Sequence, residues 1–493
     1  MAFENIIDKN FPEWNKKEVN GKTFDEIFQI EGTPLWWFYS RFVAAHTLPS
    51  QFNLQRRIEK QSINLFFRAH YNILSFAFKN YFYYNEKIKQ KLTKKLSCPG
   101  DKVLFLTYTN HYNKNTGKTY RIQKLIELIS RGKKIKPLVM YTDPLSRVVS
   151  SGIKNFDHTL YGHVDEEAIN AAKKEAKNLT KEWKKIDKTL LFGERWELIQ
   201  PVMDFFFSYE FMYNTLLYYL TSKKIIQEQK VKAVVLTSRN GFFEKCMIVA
   251  AQKLNIPTVI IQHGLGLGLF SPETPDGVKH LVFGEIFRER LLRLGVSEKD
   301  IIIVGPLLFD EIVPFIRKKN KKEGKAAIIT APFIEENRLS KEAHFRQVEK
   351  VIDSLQGHCS ELVIKLHPRE KTKRDYEELL AKKGIKNTAV VESMESGQLY
   401  SILADASLGI NFFSTVALEA MILDRPVLTI DPLVGTSHLM KEEPFTGGVA
   451  VAIDGDIAKA VKEALQDREE WKQKRKEMVT AFCYKIDGKA SER

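Results

Sequence analysis

"KAVVLTSRNGFFEKCMIVAAQKLNIPTVIIQHG" occupies residues 232–264. Its first run, 232–236, is apolar and β-branched and predicts a buried strand. The strand ends in a polar loop, Thr237-Ser238-Arg239-Asn240-Gly241. Residues 243–255 then carry apolar side chains at helical spacing, and 256–262 return to a β-branched run. Two apolar strands joined through a helix are the unit of a parallel sheet, because a parallel pair needs a long crossover.

The same alternation extends in both directions. Upstream, "DKVLFLTYTNHYN" (101–113) is a strand running into a polar loop. Ile122, Leu125, Ile126 and Ile129 have helical spacing, Gly132 ends that helix, and Pro137–Tyr141 starts another strand. Residues 164–230 read as a mostly helical insertion. Downstream come "KHLVFGE", "IFRERLLRLGV" and "DIIIVGP", then a charged stretch ending "RKKNKKEGK". A second series starts at "AAIITAP" (326–332) and runs through "ELVIKLHP", "TAVVE", "LGINFF" and "PVLTID", with helices between them; 456–482 reads as helical. The expected fold class is α/β, with two doubly wound parallel-sheet domains facing a cleft and a mainly helical N-terminal extension. The expected boundaries are 1–99 for the extension, 100–310 for the first sheet domain with its insertion at 164–230, 311–325 for a linker, 326–465 for the second sheet domain, and 466–493 for a C-terminal helix.

The chain has 493 residues, 44 % hydrophobic and 28 % charged, a composition that fits several buried cores. Cys98, Cys246, Cys359 and Cys483 lie far apart with no CxxC pair, which speaks against a disulfide framework or a zinc knuckle and fits a reducing compartment. No long apolar h-region opens the sequence and no run of 18 or more apolar residues occurs, so a cytoplasmic, non-spanning protein is expected. The formal charge of +15 is concentrated in residues 51–100, where ten Lys or Arg face only Glu59 and Glu86. Within 62–84, Ile63, Phe66, Phe67, Leu74, Phe78 and Tyr81 fall near one helical stripe beside "NEKIKQKLTKKL". Such a basic segment next to an aromatic face lies in a bilayer interface or packs on the adjacent sheet. The first alternative makes the protein peripheral on the inner membrane face, with 51–97 on an anionic surface. "LWWFY" (35–39) adds an interfacial wedge or is core. A nucleic-acid-binding protein is the other use of the charge, but no recognised binding motif is present and none is expected as partner.

Ligands of doubly wound sheets bind at the carboxyl ends of the strands, so the polar loops there are the candidate site. "QHGLGLG" does not fit a dinucleotide fingerprint, because Pro272 and Pro275 follow where a helix must open. His263 instead stands at the strand's end, where an imidazole of ordinary pKa near 6.5 takes or supplies a proton. Gly264 and Gly266 let the loop approach a ligand. Glu244 and Glu285 are alternative bases; Glu244 opens a helix, where a structural carboxylate is equally expected. Asn110, His111 and Arg239 sit in the loops that would face an acceptor. In "IKLHPRE", Pro368 sets the turn and His367 donates to a phosphate, with Lys365 or Arg369 adding charge. In "NFFSTVALEA", Ser414 and Thr415 stand where a strand gives way to a helix, and either bind phosphate or cap the helix. Glu419, a turn further in, accepts from ribose hydroxyls or complements the dipole. No metal site is expected, and Asp456 in "DGD" reads as a helix cap rather than a ligand.

From about residue 100 to 465 the chain resembles the two-Rossmann-domain glycosyltransferases of the GT-B fold that build capsule and other surface polysaccharides. The stretches that carry the likeness are "KLNIPTVIIQHG", "VFGEIFRERLLRLGV" with "IIIVGP", "VIKLHPRE" and "FFSTVALEAMILDRPVLTID". The resemblance implies a nucleotide-sugar donor on the C-terminal domain, held by His367, Ser414, Thr415 and Glu419, and a glycan or lipid-linked acceptor on the N-terminal domain. With the helix end and His367 on the leaving phosphate, no cofactor and no required metal are expected. Two related families share parts of the pattern. The non-hydrolysing UDP-N-acetylglucosamine 2-epimerases carry His-x-Glu-Ala-Gly where this chain has Gln262-His263-Gly264. The CDP-glycerol glycerophosphotransferases follow their His-Gly with Thr-Pro-Leu-Lys, where this loop reads Leu265-Gly266-Leu267-Gly268.

Overall fold

A computed structural model describes residues 17–19, 21–38, 100–113, 117–119, 122–132, 134–143, 158–193, 196–238, 241–262, 264, 277–316, 323–335, 338–385, 387–392, 396–412, 414, 416–432 and 447–493. The chain divides into two compact units: Met1–Lys114, Ile126–Leu281 and Arg290–Ile301 in the first, Asn115–Leu125, Val282–Glu289 and Ile302–Arg493 in the second. Each is built on a six-stranded parallel sheet.

The strands of the first sheet are β1 (Asp101–Thr107), β2 (Ile135–Tyr141), β3 (Val231–Leu236), β4 (Thr258–Ile261), β5 (Lys279–Val282) and β6 (Ile301–Ile303). Their order is β6-β5-β4-β3-β1-β2. The second sheet holds β7 (Lys325–Ile329), β8 (Glu361–Leu366), β9 (Thr388–Glu392), β10 (Leu408–Asn411), β11 (Val427–Asp431) and β12 (Val449–Ala452), ordered β9-β8-β7-β10-β11-β12. Both orders reverse direction once, between β1 and β3 and between β7 and β10. Such a reversal opens a crevice at the carboxyl edge, since successive crossovers leave to opposite faces of the sheet.

Among the described residues, helices of seven residues or more are α1 (Gln123–Arg131), α2 (Glu166–Lys185), α3 (Trp196–Phe206), α4 (Tyr209–Glu228), α5 (Phe242–Lys253), α6 (Glu285–Arg293), α7 (Lys341–Leu355), α8 (Lys373–Lys382), α9 (Ser396–Asp405), α10 (Val416–Ile422), α11 (Ile457–Gln466) and α12 (Glu469–Phe482). The central strands are apolar on both faces because helices cover both. Ala326 and Ile328 point one way and Ala327 the other, and all three are fully buried. The insertion is helical: α2 starts on the Asp165 cap and α4 on the Ser208 cap, and α4 packs against both α2 and α5.

The N-terminal extension differs from the helical expectation where it is described. Residues 18–34 form two antiparallel two-stranded hairpins with one helical turn, Phe24–Ile27, between them. In the second hairpin Ile30 pairs with Thr33, and Glu31 and Gly32 both take positive φ (46° and 82°). Two such residues make the turn whose twist matches paired strands. Thr23 and Glu26 form a capping box around the short helix. Its apolar side goes into the first unit's core, where Phe24 and Phe28 meet Trp183 and Phe207. Leu35, Trp37 and Phe38 are buried in the same cluster, so this part of "LWWFY" is core. The basic and aromatic stretch 51–97 and the stripe at 62–84 lie outside the described residues. Among those described, no helix is long and apolar enough to cross a membrane.

The expected helix over 456–482 is two helices. Asp456 caps α11 by accepting from Lys459 N–H at 2.9 Å. The chain then turns through Asp467 at a left-handed φ of 43°, and Asp467 and Asp424 both pair with the buried Arg475 of α12. The chain leaves the helix after Phe482. The backbone N–H groups of Ala490 and Ser491 donate to Asp310, each at 2.9 Å.

Candidate functional site

In the first unit a polar cluster sits at the β1/β3 reversal. Beyond β1, Tyr108 bonds to Ser238 beyond β3 and to Glu244 in the first turn of α5. Thr142, beyond β2, donates to Glu244 Oε1 at 3.0 Å. The Glu244 carboxylate folds back over its own helix start so closely that a Cβ on Gly241 would collide with it. A side chain at 241 would therefore displace the Glu244 carboxylate from this position. Burial holds the Glu244 carboxyl above the ordinary carboxylate range, against the hydrogen bonds from Tyr108 and Thr142 that pull it down. Burial, with the Glu244 charge, also raises the Tyr108 hydroxyl. Asp143 accepts from the Thr109 N–H and fixes the loop after β1. His111 is 4 % exposed and its Nδ1 lies 2.9 Å from the Thr107 hydroxyl.

In the second unit the cluster lies at the β7/β10 reversal. One rung of the sheet joins Lys365, Ile329, Asn411 and Thr429 on adjacent strands. The segments that leave this rung therefore start side by side. Lys365 is 5 % exposed and donates to its neighbour's carbonyl, Leu366 O, at 2.6 Å. Burial pushes its ammonium down to about 8, against the pull of Glu370, Glu392 and Glu419. His367 is half-buried at the turn after β8. Its backbone N–H donates to Glu370 Oε2 at 2.6 Å, and its Nδ1 accepts the Arg369 N–H at 3.2 Å. The Thr330 hydroxyl, at the end of β7, also donates to Glu370. Tyr376 of α8 donates to Glu370 Oε1 at 3.1 Å, and the Tyr376 oxygen is 2.7 Å from Nε2 of His344 on α7. Burial pushes Glu370 up to about 7 and His344 down to about 4.

Lys365, His367, Arg369, Ser414 and Glu419 thus belong to one carboxyl edge in the second unit. Ser414 caps: its N–H donates to Asn411 Oδ1 at 3.0 Å and its hydroxyl lies 3.4 Å from the Val416 N–H. Glu419 stands in the first turn of α10, within electrostatic reach of Lys365. Glu244 and His111 belong to the first unit's edge. Glu285 opens α6 on the surface and pairs with Arg288. Gly264 accepts from the Gln262 side chain at 2.9 Å. His263, Gly266, Arg239 and Thr415, and the side chain of Asn110, lie outside the described residues. Sequence reading missed Tyr108, Thr142, Asp143, Thr330, Glu370, Tyr376 and His344. Only Glu370 had a local signal, its position three residues after His367. The others converge from separate strands and helices.

No family model matches the chain. Among curated proteins it is 22 % identical over 275 residues to the UDP-N-acetylglucosamine 2-epimerase of Methanocaldococcus jannaschii, a stretch covering 51 % of this chain and 73 % of that one. Among solved structures it is similar to the M. jannaschii UDP-GlcNAc 2-epimerase in complex with UDP-GlcNAc and UDP, at 14 % identity and TM-score 0.46 over 80 % of this chain and 98 % of that chain. It is also similar to the wall teichoic acid polymerase TagF, at 14 % identity and TM-score 0.37 over 58 % of this chain and 73 % of that chain.

Proposed function

We propose that this chain is a glycosyltransferase that moves a sugar from a nucleotide-activated donor to a glycan or lipid-linked acceptor. The observation that carries the reading is the cluster at the β7/β10 reversal. There Lys365 and His367 end one strand and the Asn411–Ser414 turn ends another, two strands away. Doubly wound sheets with this strand order take nucleotides at that crevice. In the reaction a base removes the acceptor's hydroxyl proton and the oxygen attacks the anomeric carbon. The bond to the nucleotide's phosphate oxygen breaks, and the nucleotide leaves with the electron pair. His367 and nearby cationic side chains stabilise the charge on the leaving phosphate. The acceptor is read as presented at an anionic inner membrane face.

A screen of UDP-, GDP-, CMP- and CDP-linked sugars tests the donor. One nucleotide should raise Tm, with about 2.7 kcal/mol of stabilisation at a hundredfold excess over Kd. His367→Ala or Glu419→Ala should weaken that rise without unfolding the protein. An unchanged dose response in both variants removes these residues from the site.

We also propose that no metal is needed. Turnover should then persist in EDTA; complete loss that Mg²⁺ or Mn²⁺ restores contradicts the mechanism.

The second reading is epimerisation of a UDP-sugar, favoured by the 22 % identity to an epimerase. Against it stands His263-Gly264-Leu265, which lacks the glutamate of the epimerases' His-x-Glu-Ala-Gly stretch. UDP-GlcNAc followed by proton NMR separates the two. Conversion to the 2-epimer without an acceptor supports epimerisation, whereas nucleotide release only when acceptor is present supports transfer.

A further inference from the structure

We propose that Glu370 is a positioning residue that locks the His367 turn and sets its imidazole as a neutral Nε2–H donor toward the diphosphate of a nucleotide sugar. The diphosphate part rests on the glycosyltransferase reading above; the locking part does not. Glu370 is 7 % exposed and its two oxygens meet three donors from three segments: the His367 N–H, the Thr330 hydroxyl and the Tyr376 hydroxyl. The ionised form of Glu370 suits that place because it accepts at both oxygens, and the three donors favour it against the burial that raises its pKa. The Tyr376 proton goes to Glu370, so the Tyr376 oxygen accepts from His344, whose Nε2 therefore carries hydrogen. Helices α7 and α8 are in this way tied to a turn at the sheet's carboxyl edge.

The turn then decides the chemistry of His367. A backbone N–H can only donate, so the Arg369 N–H at 3.2 Å makes His367 Nδ1 an acceptor. The neutral ring must hold its proton on Nε2. A nitrogen with a hydrogen suits a phosphate oxygen, which only accepts. The other tautomer would present a lone pair and repel it. The Arg369–His367 bond spans two residues and depends on the backbone at 367–370; the Glu370 N–H closes that turn on the His367 carbonyl at 2.9 Å, and the His367 N–H is held by Glu370 Oε2 at 2.6 Å and the Thr330 hydroxyl oxygen at 3.1 Å. Glu370 therefore acts on the ligand through His367 rather than by touching it.

The test uses the full chain labelled with ¹⁵N in its histidine rings, with His367→Gln identifying the His367 resonances. In the wild type Nδ1 should give the shift of an unprotonated ring nitrogen and Nε2 that of a protonated one. In Glu370→Gln the two shifts should move toward each other as the tautomers mix. In parallel, calorimetry with UDP-GlcNAc, UDP-glucose, GDP-mannose and CMP-N-acetylneuraminate should show affinity for the preferred nucleotide falling about tenfold or more, the worth of one hydrogen bond to a charged group. Should Glu370→Gln fail to fold, Thr330→Val removes one donor to the same oxygen, together with the hydroxyl's own bond from the His367 N–H at 3.1 Å, and should shift the His367 signals in the same direction. Unmoved His367 shifts in a folded variant overturn the proposal. Moved shifts with unchanged affinity overturn its ligand half. If no nucleotide binds the wild type but the shifts move, the locking role stands and the glycosyltransferase reading falls instead.

Discussion

His263→Ala should lower kcat by roughly 10²- to 10⁴-fold, the share that a general base contributes, while nucleotide affinity stays near wild type. The structure sharpens this expectation through the competitors. Glu244 is 3 % exposed, enclosed by Tyr108 and Thr142, and held above the ordinary carboxylate range by burial. A carboxyl so enclosed positions the loops around it more readily than it reaches an acceptor hydroxyl. Glu285 is spent on Arg288 at the helix surface. In the sequence His263 comes two residues after Ile261, which ends β4, and the carboxyl ends of such strands are where doubly wound sheets place their ligands. Near-wild-type turnover in His263→Ala makes the histidine structural and promotes Glu244, with Glu244→Gln as the next measurement.

Phe24→Ala should cost about 3–5 kcal/mol of stability in the first unit, the usual penalty for emptying an aromatic site in a packed core. Phe24 is fully buried and its ring meets Phe28, Trp183, Phe192 and Phe207 at centroid distances of 4.6 to 6.4 Å. Those partners come from the hairpin segment, from α2, from the short helix Lys188–Phe192 after it and from the residue that follows α3. A hole there loosens all of them at once, because close-packed side chains relax only in part. Urea unfolding followed by tryptophan fluorescence reads the loss, since Trp183 lies in the same cluster. A change below about 1 kcal/mol would mean that the hairpin segment packs loosely and that α2 and α3 hold the core without it.

The sheet architecture was legible because the central parallel strands are buried on both faces. A strand in that position is mostly apolar, and "KAVVL", "AAIIT" and "VLTID" each announce it without knowledge of their neighbours. The glycine or polar residue after each run marks the carboxyl edge, so Lys365, His367, Ser414, Glu419 and Glu244 could be singled out from local pattern. The hairpins at 18–34 were missed, although Glu31-Gly32 is a turn signal, because two-residue strands carry too little periodicity to compete with helical reading. Asp467 breaks the last helical stretch for a reason that lies elsewhere in the chain, the buried Arg475 that it shares with Asp424. What the sequence alone determined is the order of strands and helices and the loops at which chemistry can sit. Tertiary structure alone decided which of those residues meet. Glu370 gathers Thr330, His367 and Tyr376 from positions up to 40 residues away. Burial then sets its proton affinity. Hydrogen-bond partners and desolvation are properties of the packed state, and no spacing in the chain encodes them.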